Sequence, residues 1–543
     1  MAFSPTSRAK GISAAAVVAV AALTLAGCSA GGSTNDASGG AITIGTTDKV
    51  TSLDPAGSYD NGSFAVQNQV FPFLMNTPYG SPDVEPDIAT KAEFTSPTEY
   101  TVTLKPGLKW ANGNDLTSSD VKFSFDRQLA IADDNGPSSL LYNLDSVAAP
   151  DDTTVVFTLK QADDQIFPQI LSSPAGPIVD EDSLSATELT SDDDIVKANA
   201  FAGQYVITSY DFNNLVGYKA NKDYEGLLGA AKTDVVNVKY YADASNLKLD
   251  IQQGNIDVAF RSLSATDIED LRGNDKVKVV DGPGGELRYV VFNFDTQPFG
   301  AKTAEADPAK ALAVRQAVAD LVDREEIATQ VYKGTYTPVY SYVPAGLTGA
   351  TEPLKSLYGN GEGGPDVDKA KATLAAAGVT APLVLNLQYS NDHYGPSSGD
   401  EYALVKDQLE ASGLFTVNLQ TTEWVQYTKD RTSDVYPAYQ LGWFPDYSDA
   451  DNYLTPFFLE GGFLKNHYSD PEVDALILKQ AVTADPAERT KLIEDIQDKV
   501  AAQLSTVPLL QGAQVAVTGT GVTGTSDTLD ASFKFRYAAL AKG

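Results

Sequence analysis

The sequence predicts an α/β protein of at least two lobes, and three observations carry that expectation. The chain has 543 residues, 43% of them hydrophobic, more than a single core usually organises. Segments of strand period and amphipathic segments of helix period follow one another along its whole length. Between residues 383 and 419 they run strand, helix, strand, the succession of a βαβ unit.

Taken in order, residues 42–44 form a short apolar strand, followed by Leu53-Asp54-Pro55 and an aromatic run to Leu74. Residues 100–104 alternate as a strand, Pro106-Gly107 turns the chain, and a helix begins at Thr117. Thr117 with Asp120 three residues on approximates a capping box, and Val121, Phe125 and Leu129 then share one face. A second strand at 153–159 resembles the first closely enough to suggest two strands of one sheet. Residues 181–200 read as acidic and irregular, 203–218 as two strands, and 235–241 as another. A short helix at 247–253 leads through Gly254 to a strand at 256–260, and 287–294 is a strong strand. Residues 308–321 are helical, and Asp323 caps a second helix that ends at Gly334. Strands at 383–389 and 415–419 flank a helix around 402–409, and 438–442 is a further strand. Asp470-Pro471 and Asp485-Pro486 each start a helix, the second with Leu492, Ile496, Val500 and Leu504 on one stripe. A strand at 514–517 and an aromatic tail at 533–537 close the chain.

The formal net charge is −33, which excludes nucleic acid and bare anionic membrane as partners, since either requires a basic patch. Arg8 and Lys10, the apolar run 11–25 and Leu25-Ala26-Gly27-Cys28 together read as a bacterial secretory signal over residues 1–27. The apolar run is short for a spanning helix, which needs about 20 residues. Cys28 is the only cysteine, so no intrachain disulfide is possible. The ending resembles the lipobox of bacterial lipoproteins, which implies lipidation of Cys28 and a membrane anchor. Residues 28–40, small or polar, form a flexible tether.

The stretch 441–454 sets Trp443, Phe444, Tyr447 and Tyr453 among Asp446, Asp449 and Asp451. Such a mixture makes poor core and poor surface, and reads as a binding wall in which Asp446, among aromatic rings, meets a cationic ligand group.

Residues 104–127, with Gly107, Trp110, Gly113, Leu116, Thr117, Asp120 and Val121 in register, resemble the most recognisable segment of the family 5 solute-binding proteins of ABC transporters. Val314 through Ile327 is similar to that family's paired-helix motif, and 249–259 and 288–293 follow it as well. The resemblance extends from about residue 42 to 510 and departs from the family at Phe201-Ala202-Gly203-Gln204-Tyr205. It implies a two-lobed periplasmic-binding-protein-like fold with two interlobe crossings and an additional inserted subdomain. The first lobe takes 41–286 and 515–543 with the insertion at about 75–200, and the second takes 287–514. Strands 287–294 and 514–517 are the expected crossings.

The resemblance also implies a function. The chain is expected to be a monomeric extracytoplasmic receptor, anchored through Cys28, that closes on a peptide or other small solute and delivers it to an ABC permease. An oligosaccharide or a metal chelate is the alternative solute. Asp446 falls where peptide-binding members pair an aspartate with the ligand's α-ammonium, with Gly442, Trp443, Phe444, Tyr447 and Gln440 around it. The loop Asn391-Asp392-His393-Tyr394 is implied to face the cleft, and neither place carries the arginine that several dipeptide binders use for the ligand carboxylate.

Other chemistry is poorly supported. Asp449, Asp451 and Glu460 imitate a calcium loop, but Leu454 stands where such a loop needs glycine. The match at 359–364 to a dinucleotide motif has no strand before it and Pro365 after it. His393 and His467 with one cysteine make no usual structural zinc set. No phosphate loop, nucleophile elbow or H-E-x-x-H occurs, so neither an enzyme nor a cofactor is implied.

Overall fold

Two β-sheets, each sided by helices, organise the chain, and a third, smaller sheet is inserted into the first lobe. The computed structural model describes residues 40–543 apart from Ser262, Asp392, Pro396 and Phe533, and apart from the side chain of Val425. The secretory signal, Cys28 and nearly all of the tether therefore lie outside the described residues, as does Asp392 of the 391–394 loop.

The first sheet has seven strands in the order Val277–Gly282, Gln514–Gly519, Val258–Phe260, Ile42–Thr46, Val235–Tyr240, Leu215–Ala220 and Tyr205–Asp211. The second has six, in the order Tyr336–Pro338, Thr506–Gly512, Leu287–Phe292, Ala438–Trp443, Leu383–Ser390 and Phe415–Thr422. The last two pair in parallel across the helix Ser398–Ala411, which is the βαβ unit expected from the sequence. The inserted sheet pairs Glu99–Leu104 directly with Thr154–Leu159, Tyr100 opposite Phe157, so the two similar strands are neighbours. This is the two-lobed fold with an inserted subdomain.

Local chemistry explains the boundaries. Thr117 and Asp120 complete a capping box at the helix Ser118–Ile131. Asp470 and Asp485 cap helices that begin on proline, where the missing N–H has no intrahelical partner to lose. Phe535 and Tyr537 of the tail are buried in the core of the first sheet. Their rings meet Phe260 and Tyr218, at centroid distances of 3.9 and 5.6 Å.

Three expectations change. Strands 287–294 and 514–517 are not the crossings: Leu287 already pairs with Trp443 inside the second sheet, and Gln514 with Gly282 inside the first. The chain passes between the sheets just before each, at 283–286 and at Ala513. The acidic run 181–200 contains the helix Asp192–Ala198, because Ser191 caps it and three aspartates in its first turn suit the helix dipole. Leu129 lies on the exposed side of its helix while Val121 and Phe125 are buried.

Candidate ligand-binding cleft

The two passages put the strand ends of both sheets side by side, and a cavity of about 400 Å³ opens between them. From the first sheet it is walled by Ala259, Arg261 and the segment around Ser264, and from the second by Glu286, Arg288 and Tyr336. His393, Tyr394 and Phe444 complete the second wall.

Arg288 is the charged centre of that wall. It sits in a strand whose other members are apolar or aromatic, opposite Gly442 in register, and is only 2% exposed. Its Nε lies 2.6 Å from Glu286 Oε1, and its Nη2 donates to Tyr336 Oη at 3.1 Å and to the Tyr394 carbonyl at 2.8 Å. The guanidinium stands over both tyrosine rings, 4.7 Å from the centroid of Tyr394 and 5.5 Å from that of Tyr336. Burial is the largest influence and works against its charge, but Glu286 together with Tyr336, Tyr332 and Glu401 outweighs it, and the group is held well above the usual arginine range. Tyr336 donates in turn to Glu286 Oε2 at 2.7 Å. Behind them Tyr332 donates to Glu401 at 2.7 Å, and burial pushes the Glu401 carboxyl up.

The aromatic and acidic stretch behaves differently. Asp446 is half-buried and does not line the cavity. One carboxylate oxygen accepts a short hydrogen bond from Tyr59 of the first lobe, and the other accepts from Asn452 Nδ2 at 3.1 Å. Burial pushes the Asp446 carboxyl up, against the lowering effect of those two bonds. Asn452 Oδ1 also accepts from Trp443 Nε1 and from the Asp446 backbone N–H, both at 2.9 Å. Tyr447 donates to Asp451 at 3.0 Å, and Asp449 takes a bidentate pair from Arg489 at 2.6 and 2.8 Å.

Gly442 is a close approach: a Cβ there would lie 2.8 Å from the Tyr394 ring and 3.1 Å from the Leu287 carbonyl oxygen. Gln440 is fully buried, accepting from the Ser390 backbone N–H at 3.1 Å and donating to Ser398 Oγ at 3.2 Å. His393 stacks on Trp424 at 3.7 Å, and Asn391 is exposed. Of the residues expected from the sequence, then, His393, Tyr394 and Phe444 meet at the cavity, while Asp446, Trp443, Gly442, Tyr447, Gln440 and Asn391 stand outside its lining. Glu286, Arg288, Tyr332, Tyr336 and Arg261 were not foreseen. One signal was present: an arginine inside an otherwise apolar strand needs a partner wherever it lands. Elsewhere Asp295, Asp434 and His467 gather ligand-type atoms within 4.8 Å of one another, but Lys302 Nζ already supplies a cation 2.7 Å from Asp295.

Residues 83–465 match the family model for the middle region of bacterial extracellular solute-binding proteins, family 5. The chain belongs to that family. The probable D,D-dipeptide-binding periplasmic protein of Escherichia coli is 25% identical to this family 5 protein over 485 residues, 87% of this chain and 88% of the relative. Heme-binding protein A of Haemophilus influenzae is 25% identical over 535 residues, 92% and 93% of the two chains. The periplasmic oligopeptide-binding protein of Salmonella typhimurium is 25% identical over 487 residues, 85% of each. Among solved structures, an ABC-transporter substrate-binding protein of Listeria monocytogenes superposes with a TM-score of 0.76 at 23% identity, covering 93% of this chain and 99% of that one. These relatives are binding proteins rather than enzymes, and the family 5 protein is a binding protein too. Among the described residues no helix is long and apolar enough to cross a membrane.

Proposed function

We propose that this family 5 protein is the lipid-anchored, extracytoplasmic receptor of an ABC importer, which captures peptides between its lobes by hinge closure and presents them to a permease. The observation that carries this reading is the cavity at the two chain crossings, walled by strand ends of both sheets, where relative motion of the lobes changes its access. The lobes of the proposal are 41–286 with 515–543, and 287–514, with the insertion at about 75–200. Cys28 is the proposed anchor point.

Asp446 is the proposed partner of the peptide α-ammonium. Its present partner across the lobes is a single tyrosine hydroxyl, which a cation exchanges at little cost while relieving a carboxylate that burial disfavours. Gly442 and Trp443 shape the backbone and ring surface beside it, Phe444, His393 and Tyr394 form the wall at the cavity, and Tyr447, Gln440 and Asn391 are proposed as supporting neighbours from outside its lining.

Native mass spectrometry of the purified protein tests the reading. A co-purifying mixture of peptides is expected, and a homogeneous sugar or metal chelate would sink the peptide assignment. For Asp446→Ala, calorimetric titration with a captured peptide is expected to show a loss of about 2–5 kcal/mol, the range for truncating one partner of a buried charge pair. Unchanged affinity would remove Asp446 from the site.

A further inference from the structure

The chain joins the inserted subdomain only to the first lobe, yet the subdomain touches the second. The Gln165 N–H donates to the Ala481 carbonyl at 2.8 Å, a backbone bond from the insertion to a helix of the second lobe. Beside it Tyr447 and Ala481 are partly buried against the apolar core of the insertion, the cluster that holds Tyr100, Phe125, Phe157 and Phe167.

Both sides of this contact are prepared for it. Ala481 ends the helix Pro471–Ala481, whose last carbonyls have no partner within the helix. Those of Lys479 and Gln480 accept from the N–H groups of Val482 and Thr483 just beyond, whereas that of Ala481 accepts from the insertion. Gln165 lies in a turn fixed within its own subdomain. The Asp163 N–H donates to the Pro97 carbonyl at 2.6 Å, and Asp164 accepts from Asn143 Nδ2 at 2.6 Å and from the Ile166 N–H at 2.9 Å. The donor is therefore offered from a rigid frame.

Asp451 fixes the receiving surface. Only 3% exposed, it accepts from Tyr447 Oη at 3.0 Å, from Thr455 Oγ1 at 2.6 Å and from Gln480 Nε2. One buried carboxylate thus ties Tyr447 to the residue that precedes Ala481. No chain segment bridges the two surfaces directly, and the second-lobe residues in the contact are partly buried rather than core, so it exists when the lobes are together and parts when they separate.

We propose that the inserted subdomain is a clasp for the closed form: the turn at Gln165 grips the C-terminal end of the helix Pro471–Ala481 and the inserted core covers Tyr447 and Ala481, so that release of a bound solute requires this contact to part. The proposal rests on the hinge-closure reading and adds to it a second point of closure. The crossings at 283–286 and Ala513 are covalent and present in every arrangement, whereas the clasp is made and broken. It acts on how long a solute stays rather than on which solute the cavity accepts.

The test uses two variants whose substitutions lie outside the cavity lining. In Ala481→Trp the added ring meets the inserted core and holds the contact apart. The purified full chain and this variant are compared by small-angle scattering with and without an equimolar panel of unblocked di- to pentapeptides, and release of bound peptides is followed by native mass spectrometry after dilution. A larger radius of gyration and release about fivefold faster are expected, the scale of one net hydrogen bond. The reciprocal variant is Gln165→Cys with Ala481→Cys in a Cys28→Ser chain, which carries no other thiol. Joined by a short bis-maleimide, it is expected to release peptides more slowly than the same variant left unjoined. Unchanged radius and release in Ala481→Trp, or equal release from the joined and unjoined proteins, would overturn the clasp and leave hinge closure standing. Should Ala481→Trp fail to fold, the cross-linked variant decides alone. An unsubstituted chain whose radius is the same with and without bound peptides counts against hinge closure, and equal release from the joined and unjoined proteins then overturns the clasp as well. If no peptide of the panel binds, the radius of ligand-free Ala481→Trp decides: a larger value upholds the clasp and an unchanged one overturns it.

Discussion

Two adjacent strand ends on the second lobe teach opposite lessons. The stretch 441–454 looks like a binding wall in composition, yet most of its polar groups are engaged with one another and with nearby helices. The strand Leu287–Phe292 looks like plain core, and with Glu286 it supplies the charged floor of the cavity. The two strands lie side by side, Arg288 opposite Gly442. A polar residue is therefore placed at a ligand or in a scaffold by what stands opposite it in register, which composition does not report.

The sharpest division is between the acidic scaffold and the site. Arg489→Ala leaves Asp449 mostly buried without its bidentate partner, and is expected to cost about 3–5 kcal/mol of stability. Denaturant unfolding measures it, and ligand binding should persist in whatever protein folds. A variant of normal stability that has lost ligand binding would erase the distinction between the two regions.

The same scaffold should be visible in the pH dependence of stability. Burial, with Asp449 close by, pushes the Asp451 carboxyl up to about 6. A carboxyl whose folded pKa lies above its unfolded value of about 4 takes up its proton first in the folded state, so its contribution to stability falls as pH rises from about 4 to about 6. The effect is roughly 3 kcal/mol for a difference of this size. Asp451→Asn is expected to flatten that part of the profile, and an unaltered slope would show that Asp451 is ordinary.

Gly442 is where the regions touch. In Gly442→Ala the added methyl meets the Tyr394 ring, which carries Arg288 on its face and through its carbonyl. An overpacked contact of this kind costs about 1–3 kcal/mol. Ligand affinity is expected to drop along with stability. A loss of stability with affinity intact would mean that Tyr394 can shift without moving the guanidinium.

Much of the fold was legible because its signals are local. The Asp-Pro helix starts, the capping box at Thr117 and the alternating strands need only a few neighbours to be read. The strand Thr506–Gly512 was missed because Pro508 breaks its appearance, and the ladder tolerates it at the irregularity between Arg288 and Tyr289. The crossings lie a few residues ahead of the expected strands, in the turn-rich Pro283-Gly284-Gly285-Glu286 and at Ala513, because a strand pattern does not tell which sheet the strand joins. The site was legible only in part. Tyr394 and Phe444 lie in stretches expected to face the cleft, whereas Arg288, in a segment noticed only for its family resemblance and more than a hundred residues upstream, comes to Tyr394 through strand pairing. Tyr59, which bonds Asp446 from the other lobe, carries no local signal at all.

That bond gives the smallest effect and the most direct measure of closure. Tyr59 lies between the 3-10 turn Pro55–Gly57 and the helix Asn61–Val70 of the first lobe, and its hydroxyl donates to the Asp446 carboxylate of the second. Burial, with Asp446 beside it, holds the phenol protonated far above neutral pH, so the bond persists through the physiological range. Tyr59→Phe keeps the ring and removes the donor. A hydrogen bond across two lobes stabilises only the arrangement in which both are together, so its loss shifts the open and closed populations and leaves each lobe as stable as before. For a partly exposed bond the shift is about 1 kcal/mol, less than a tenfold change in population. Small-angle scattering of the ligand-free protein is expected to show a larger mean radius of gyration in Tyr59→Phe. If Asp446 instead exchanges Tyr59 for a ligand ammonium, the variant should bind peptides no more weakly than the unsubstituted chain. A tenfold loss of affinity would place Tyr59 in the liganded state and Asp446 back in the scaffold.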